Sequence, residues 1–215
     1  MSWDVRYQNE YLQRLKVRLV DATTGPAIGR DQGLIPEIER ETERKIAEYS
    51  QLAVDEEVRP HLRLTSLVLA SYEALLARGM PAEQAVDLIV DAFRGVGQAT
   101  VGLYSQVFLA FSGDPYSAIT RAVKERSLEQ YAGVWDFRLE DTPDAFAITI
   151  TKCFYHDFFE AAETRQLTRV FCAWDSSWIE EIGPRRYGVS FSRPTTMGLG
   201  GEECPFIFER GKRGT

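Results

Sequence analysis

Three cysteines stand out by where they fall. Cys153, Cys172 and Cys204 all lie in the last third of the chain, and none precedes them. Cys153 is followed three positions later by His156, and Cys172 three positions later by Asp175. A thiol in the first turn of a helix feels unpaired N–H groups and the positive end of the helix dipole, both of which favour thiolate. Residues three apart on a helix sit side by side, so a Cys–His pair at a helix start is an arrangement for an activated nucleophile. Asp175 repeats that spacing beside Cys172, and a carboxylate among aromatics can be raised in pKa until it acts as a base. Cys204 follows Gly200-Gly201-Glu202-Glu203, where glycine backbone can present N–H groups to an anion or a developing oxyanion. Each piece also has a bland reading: a core cysteine, a solvent-facing aspartate, an ordinary hairpin loop.

A metal site is the rival chemistry. Three cysteines and His156 form a legitimate zinc set. Structural zinc sites rest on chelating pairs, however, and no two of these cysteines are two to four residues apart. No cofactor is expected. A non-catalytic small-molecule-binding or zinc-binding module built on the three cysteines and His156 is the alternative to an enzyme.

The elements that must position these residues follow from periodicity. Tyr11, Leu15 and Leu19 recur at helical spacing, and Gly25-Pro26 ends that helix. Residues 23–36 read as a loop, and the charge-rich stretch 37–50 as a solvated helix. His61 to Arg78 is a strongly apolar helix, with Gly79 as its C-cap and Pro81 opening a second helix that runs to Phe93. Gly95-Val96-Gly97-Gln98-Ala99-Thr100 lacks a preceding strand and a Gly-Lys-Ser/Thr ending, so close helix packing is expected there rather than phosphate binding. Residues 101–111 suggest a buried helix, and residues 115–131 a further amphipathic one.

The period then changes. Strands are expected at 134–140 and 146–151, around the turn Asp141-Thr142-Pro143-Asp144. Helices follow at 153–162 and 167–182, the second ended by Gly183-Pro184. Further strands are expected at 186–192 and 204–210. The fold class is therefore α+β: an N-terminal helical bundle-like region, residues 1–132, packed with a C-terminal four-stranded antiparallel sheet carrying two inserted helices, residues 133–215. The two regions are expected to form one compact unit.

Composition narrows the partners. The chain has 215 residues and a formal net charge of −7, which argues against a nucleic-acid partner. No apolar run approaches the roughly 20 residues of a membrane span. Met1-Ser2-Trp3-Asp4 does not open a secretory signal, and an odd number of cysteines does not suit a disulfide framework. A cytoplasmic protein acting on a small-molecule substrate is expected. The broad apolar faces of the helical part suit a homodimer as well as a monomer core.

The segments around the cysteines resemble the L-2-amino-thiazoline-4-carboxylic acid hydrolase family. The resemblance is carried by Cys153-Phe154-Tyr155, Leu167-Thr168, Phe171-Cys172-Ala173-Trp174-Asp175, Phe191-Ser192-Arg193-Pro194-Thr195-Thr196 and Gly200-Gly201-Glu202-Glu203-Cys204-Pro205-Phe206. This chain departs from the family's Cys-Asp-Phe at Cys204-Pro205-Phe206. The resemblance implies hydrolysis of a C–N or C=N bond in a small cyclic amidine, thiazoline or amide, by a thiolate. Cys153 ranks first as nucleophile from its helix-start position, with Cys172 and Cys204 as alternatives. His156 or Asp175 would activate water. Arg193 and Thr196, or the backbone at Gly200 and Gly201, would stabilise the intermediate. Arg193 is also suited to grip a substrate carboxylate, and Tyr155, Trp174 and Trp178 to wall the pocket.

Overall fold

The computed structural model describes residues 2–21, 28, 30–53, 55–100, 102, 109, 111–131 and 133–211. Among the described residues five α-helices come first: α1 (Trp3–Asp21), α2 (Leu34–Glu48), α3 (Arg59–Ala77), α4 (Ala82–Arg94) and α5 (Pro115–Gln130). Strands β1 (Trp135–Asp141) and β2 (Ala145–Cys153) lead into α6 (Phe154–Ala161) and α7 (Thr168–Ile182). The chain closes with β3 (Val189–Ser192) and β4 (Cys204–Arg210). This is the α+β arrangement expected from the change of period.

Helix α3 is the centre of the helical part. It is buried almost along its whole length and packs against α1, α2, α4 and α6. Two of its buried hydroxyls bond back to the helix itself: Thr65 Oγ1 donates to His61 O and Ser71 Oγ to Leu67 O. Gly79, at φ +82°, ends the helix in the left-handed conformation that glycine adopts without Cβ strain. Pro81 then stands just outside α4 as its N-cap. The glycines at 95 and 97 serve packing. A Cβ on Gly95 would meet the Arg14 guanidinium and one on Gly97 the Tyr7 ring, both from α1. The Gly97 N–H donates to the Glu10 carboxylate.

The four strands form one antiparallel sheet in the order β1-β2-β4-β3. Its inner face is set by the pairs Phe146–Phe208, Ile148–Phe206 and Ile150–Cys204. Strict alternation would next turn Lys152 inward and Cys153 out to solvent. A bulge prevents this. Phe137 pairs with Ile150 and Asp136 with Lys152, so Thr151 is an extra residue in β2. Its hydroxyl donates to Asp136 O at 3.1 Å and clamps the bulge. Parity reverses, Lys152 stays exposed, and Cys153 faces inward opposite Trp135.

Several expectations are corrected. Cys153 still belongs to β2, with extended φ −134° and ψ 117°, and is the N-cap of α6 rather than its first residue. Helix α2 starts at Leu34, ahead of Pro36, since a helix's first N–H groups have no intrahelical partner to lose. It is not simply solvated: Ile38, Thr42 and Lys45 are buried against α3, and Lys45 carries its charge to Glu73 at 2.7 Å. β3 begins only at Val189, because Pro184–Tyr187 winds as a 3₁₀ turn closed by Gly188 at φ +69°. The break at Gly25-Pro26 lies outside the described residues. So does most of the helix expected at 101–111, whose last residue, Phe111, is exposed. Among the described residues no helix is long and apolar enough to cross a membrane.

Candidate active site

Thr168, Phe171, Cys172 and Asp175 fall at i, i+3, i+4 and i+7 of α7 and form one stripe. That stripe faces the inner end of the sheet. There β1 offers Trp135, β2 offers Ile150 and the bulge-turned Cys153, and β4 offers Cys204. Tyr155, Arg193 and Met197 complete the wall. The three cysteines, Asp175 and Arg193 thus line one pocket. The cavity is small, about 10 Å³ and room for about one water, so a ring-sized substrate requires the walls to part.

The three thiols differ in what surrounds them. Cys153 receives the backbone N–H of His156, as its helix-start position suggests, but burial dominates and holds the thiol strongly protonated. The carboxylate of Asp175 and the other two sulfurs push the same way. Cys172 is only part-buried. Burial raises its pKa too, but the Thr196 hydroxyl and the Arg193 charge oppose that rise. Cys204 accepts the Met197 N–H at 3.1 Å and also feels Arg193, against a rise led by burial. Arg193 therefore favours thiolate at Cys172 and Cys204, and no cation is among the causes acting on Cys153.

Arg193 is held rather than free to swing. Its Nη1 donates to Cys172 O at 2.7 Å and to Ser176 Oγ at 3.1 Å. Its Nη2 lies 3.6 Å from Asp175 Oδ2, and the guanidinium stacks 4.1 Å over the Phe206 ring. Both side chains of this pair are buried, at 6% and 8% exposure. Burial raises the Asp175 pKa to about 6, with Arg193 and then Arg126 pulling it back down. A carboxylate in that range can accept a proton and return it near neutral pH. Asp175 also faces an adjoining cavity lined by Tyr7, Val96, Gln98, Arg126, Tyr131 and Trp174.

The other expected site residues fall elsewhere or play different parts. The His156 imidazole turns to Glu160, 3.3 Å away, and does not line the pocket; only its backbone meets Cys153. Tyr155 does line it. Its ring stacks on Phe171 at 4.1 Å, and its hydroxyl meets Nδ1 of buried His61 at 2.6 Å. Burial depresses the His61 pKa to about 4, so the ring is neutral at pH 7. Trp174 belongs to the adjoining cavity and donates to Val96 O. Trp178 lies within α7, its side chain outside what is described. The glycine loop does not present an anion hole through Gly200 and Gly201, because their N–H groups are spent on Met197 O and Thr196 O. Arg193, tied to α7, is an element of the wall rather than a free clamp for a substrate carboxylate. Among the described residues, no group of three His, Cys, Asp or Glu side chains has the geometry to hold a metal ion.

Six contributors are not among the site residues expected from the sequence: Trp135, Ile150, Thr168, Phe171, Met197 and Gly198. A Cβ on Gly198 would come within 2.8 Å of Cys172 Sγ and 3.0 Å of Arg169 N. That close approach is what seats the loop on α7. Pro205 sits on the opposite face of β4 from Cys204 and Phe206, and beyond the last residue of β3. A carboxylate at that position would point away from the pocket, so its absence leaves the cavity wall unchanged.

The fold and site together define an α+β protein with a buried, cysteine-lined cavity between a helix and the end of a sheet. The model of one family, L-2-amino-thiazoline-4-carboxylic acid hydrolase, matches residues 62–208. That stretch holds every cysteine, Asp175 and Arg193, and spans more than half of the chain. The chain belongs to this family, and hydrolysis is its general function. No curated protein matches it. Similar solved structures include an H-NOX protein from S. oneidensis in the Fe(II)NO ligation state. It is 14% identical over 84% of this chain and 99% of that one, with a TM-score of 0.35. The SO2144 H-NOX domain from Shewanella oneidensis in the Fe(II)CO state is 12% identical over 84% and 98%, with a TM-score of 0.32. Likenesses at that level carry no argument about the site.

Proposed function

We propose that the chain hydrolyses a C–N or C=N bond of a small cyclic amidine, thiazoline or amide, with Cys172 as nucleophile and Asp175 as general base. One observation carries this reading. Cys172 and Asp175 share a helix face inside one cavity, and Arg193 touches the backbone of the first and the carboxylate of the second. Cys153, first by its sequence position, is the most strongly protonated of the three and gives way to the part-buried Cys172.

The Asp175 carboxylate takes the Cys172 proton, and the thiolate adds to the electrophilic ring carbon. The tetrahedral adduct collapses as the ring bond breaks, and the leaving atom takes the proton back from Asp175. Asp175 then deprotonates a water that adds to the same carbon. The C–S bond to Cys172 breaks and the thiol is restored, for a net addition of one water. Cys204, with its sulfur held by the Met197 N–H and the Arg193 field, and Cys153, beneath it, shape the cavity.

The test is turnover of 2-amino-thiazoline-4-carboxylic acid by single variants. Cys172→Ala and Asp175→Asn are each expected to lower kcat at least about a hundredfold, and Cys153→Ser less than tenfold. A Cys172→Ala enzyme that keeps more than a tenth of wild-type turnover overturns the assignment.

A further inference from the structure

Three buried polar groups on the pocket-lining residues have no partner: Trp135 Nε1, Arg193 Nε and Thr168 Oγ1. A buried donor left unpaired loses its hydration with nothing in return, so three around one small cavity call for an explanation. Packing does not supply one. Thr168 is 1% exposed, and the other two Arg193 nitrogens are already directed at Cys172 O, Ser176 and Asp175. Trp135 is held by its ring, stacked on Tyr131 at 4.0 Å and 3°, and this fixes the indole edge without using its N–H. The groups come from three directions: the first residue of β1, the first residue of α7, and the residue after β3.

Resting on the cysteine-hydrolase reading above, we propose that Trp135 Nε1–H, Arg193 Nε–H and the Thr168 hydroxyl form the donor set that receives negative charge on the tetrahedral adduct. The backbone of the glycine loop, spent internally, does not fill this role. Addition of the Cys172 thiolate to a C=N or C=O carbon pushes an electron pair onto the nitrogen or oxygen. A site that binds that atom needs donors fixed before the charge appears and shielded from water. Trp135 and Thr168 are neutral, so they stabilise this charge without competing with Asp175 for the Cys172 proton. Their effect falls on the transition state more than on the bound substrate.

Trp135→Phe removes the N–H and retains a ring to stack on Tyr131. The substrate is 2-amino-thiazoline-4-carboxylic acid, with iodoacetamide alkylation of Cys172 as the control for an intact cavity. Expected is a fall in kcat of about a hundredfold, with KM within about threefold and the alkylation rate within twofold. Thr168→Val is expected to lower kcat about tenfold with the same pattern, and it decides the matter alone if Trp135→Phe does not fold. Unchanged kcat in the folded variants overturns the donor set. If kcat still depends on Cys172 in that case, the hydrolase reading stands. Turnover that is absent, or indifferent to Cys172→Ala, overturns the hydrolase reading instead.

Discussion

The buried Asp175 makes a quantitative prediction about stability that does not depend on knowing the substrate. Its pKa rises from the usual 3.8 to about 6 in the fold, chiefly because burial penalises the charge. Between those values the unfolded chain has released the proton and the folded protein still holds it. Stability therefore falls with pH across this window, by about 1.4 kcal/mol per pH unit, and levels off above pH 6. The contribution is fully present below pH 3.8 and lost above 6, a total of about 3 kcal/mol. Asp175→Asn mimics the protonated side chain at every pH. Urea unfolding of wild type and Asp175→Asn at pH 4.5, 5.5, 6.5 and 7.5 measures the difference directly. The variant's relative stability should climb through the two lower points and reach a plateau of about 3 kcal/mol, while turnover is lost throughout. A pH-independent difference would show that Asp175 ionises normally, and would refute the argument that burial poises it as a base.

Other consequences are local. Gly198→Ala places a methyl against Cys172 Sγ and the Thr168–Arg169 backbone, so it should destabilise by about 1–3 kcal/mol and slow turnover, measured by urea melts and assay. Thr151→Val removes the hydroxyl that clamps the bulge and should cost about 1 kcal/mol in the same melts. It should also raise the alkylation rate of Cys153, read by peptide mass mapping, as the reversed parity loosens. Tyr155→Phe leaves the buried His61 Nδ1 without its 2.6 Å partner and should cost about 1–3 kcal/mol, while turnover stays within tenfold because that hydroxyl is directed at His61.

Local signals made much of this architecture legible. Gly79 and Pro81 punctuate the hairpin of α3 and α4, and the switch to alternation at Trp135 announces the sheet. The i, i+3 spacing of Cys172 and Asp175 places them together on α7. What stayed hidden depends on parity and on distant packing. Alternation through Phe146, Ile148 and Ile150 says nothing of the extra residue at Thr151, yet that residue decides which way Cys153 faces. At Cys153 the helix start does supply an N–H donor, from His156, but burial in the folded core outweighs it, and burial is not visible in the local sequence. Arg193 carries no local sign that α7 will engage three of its contacts. Trp135 gives none that its N–H will lie buried and unpaired. The glycines at 200 and 201 do build a tight loop, but its hydrogen bonds close on themselves.

The central claim is that Cys172 forms the covalent bond. Rapid acid quench during turnover of 2-amino-thiazoline-4-carboxylic acid, followed by intact-mass measurement and peptide mapping, tests it. The account predicts a transient adduct on the peptide holding Cys172, absent in Cys172→Ala and longer-lived when Asp175 is replaced by Asn. An adduct on Cys153 or Cys204, or full turnover by Cys172→Ala, would contradict it.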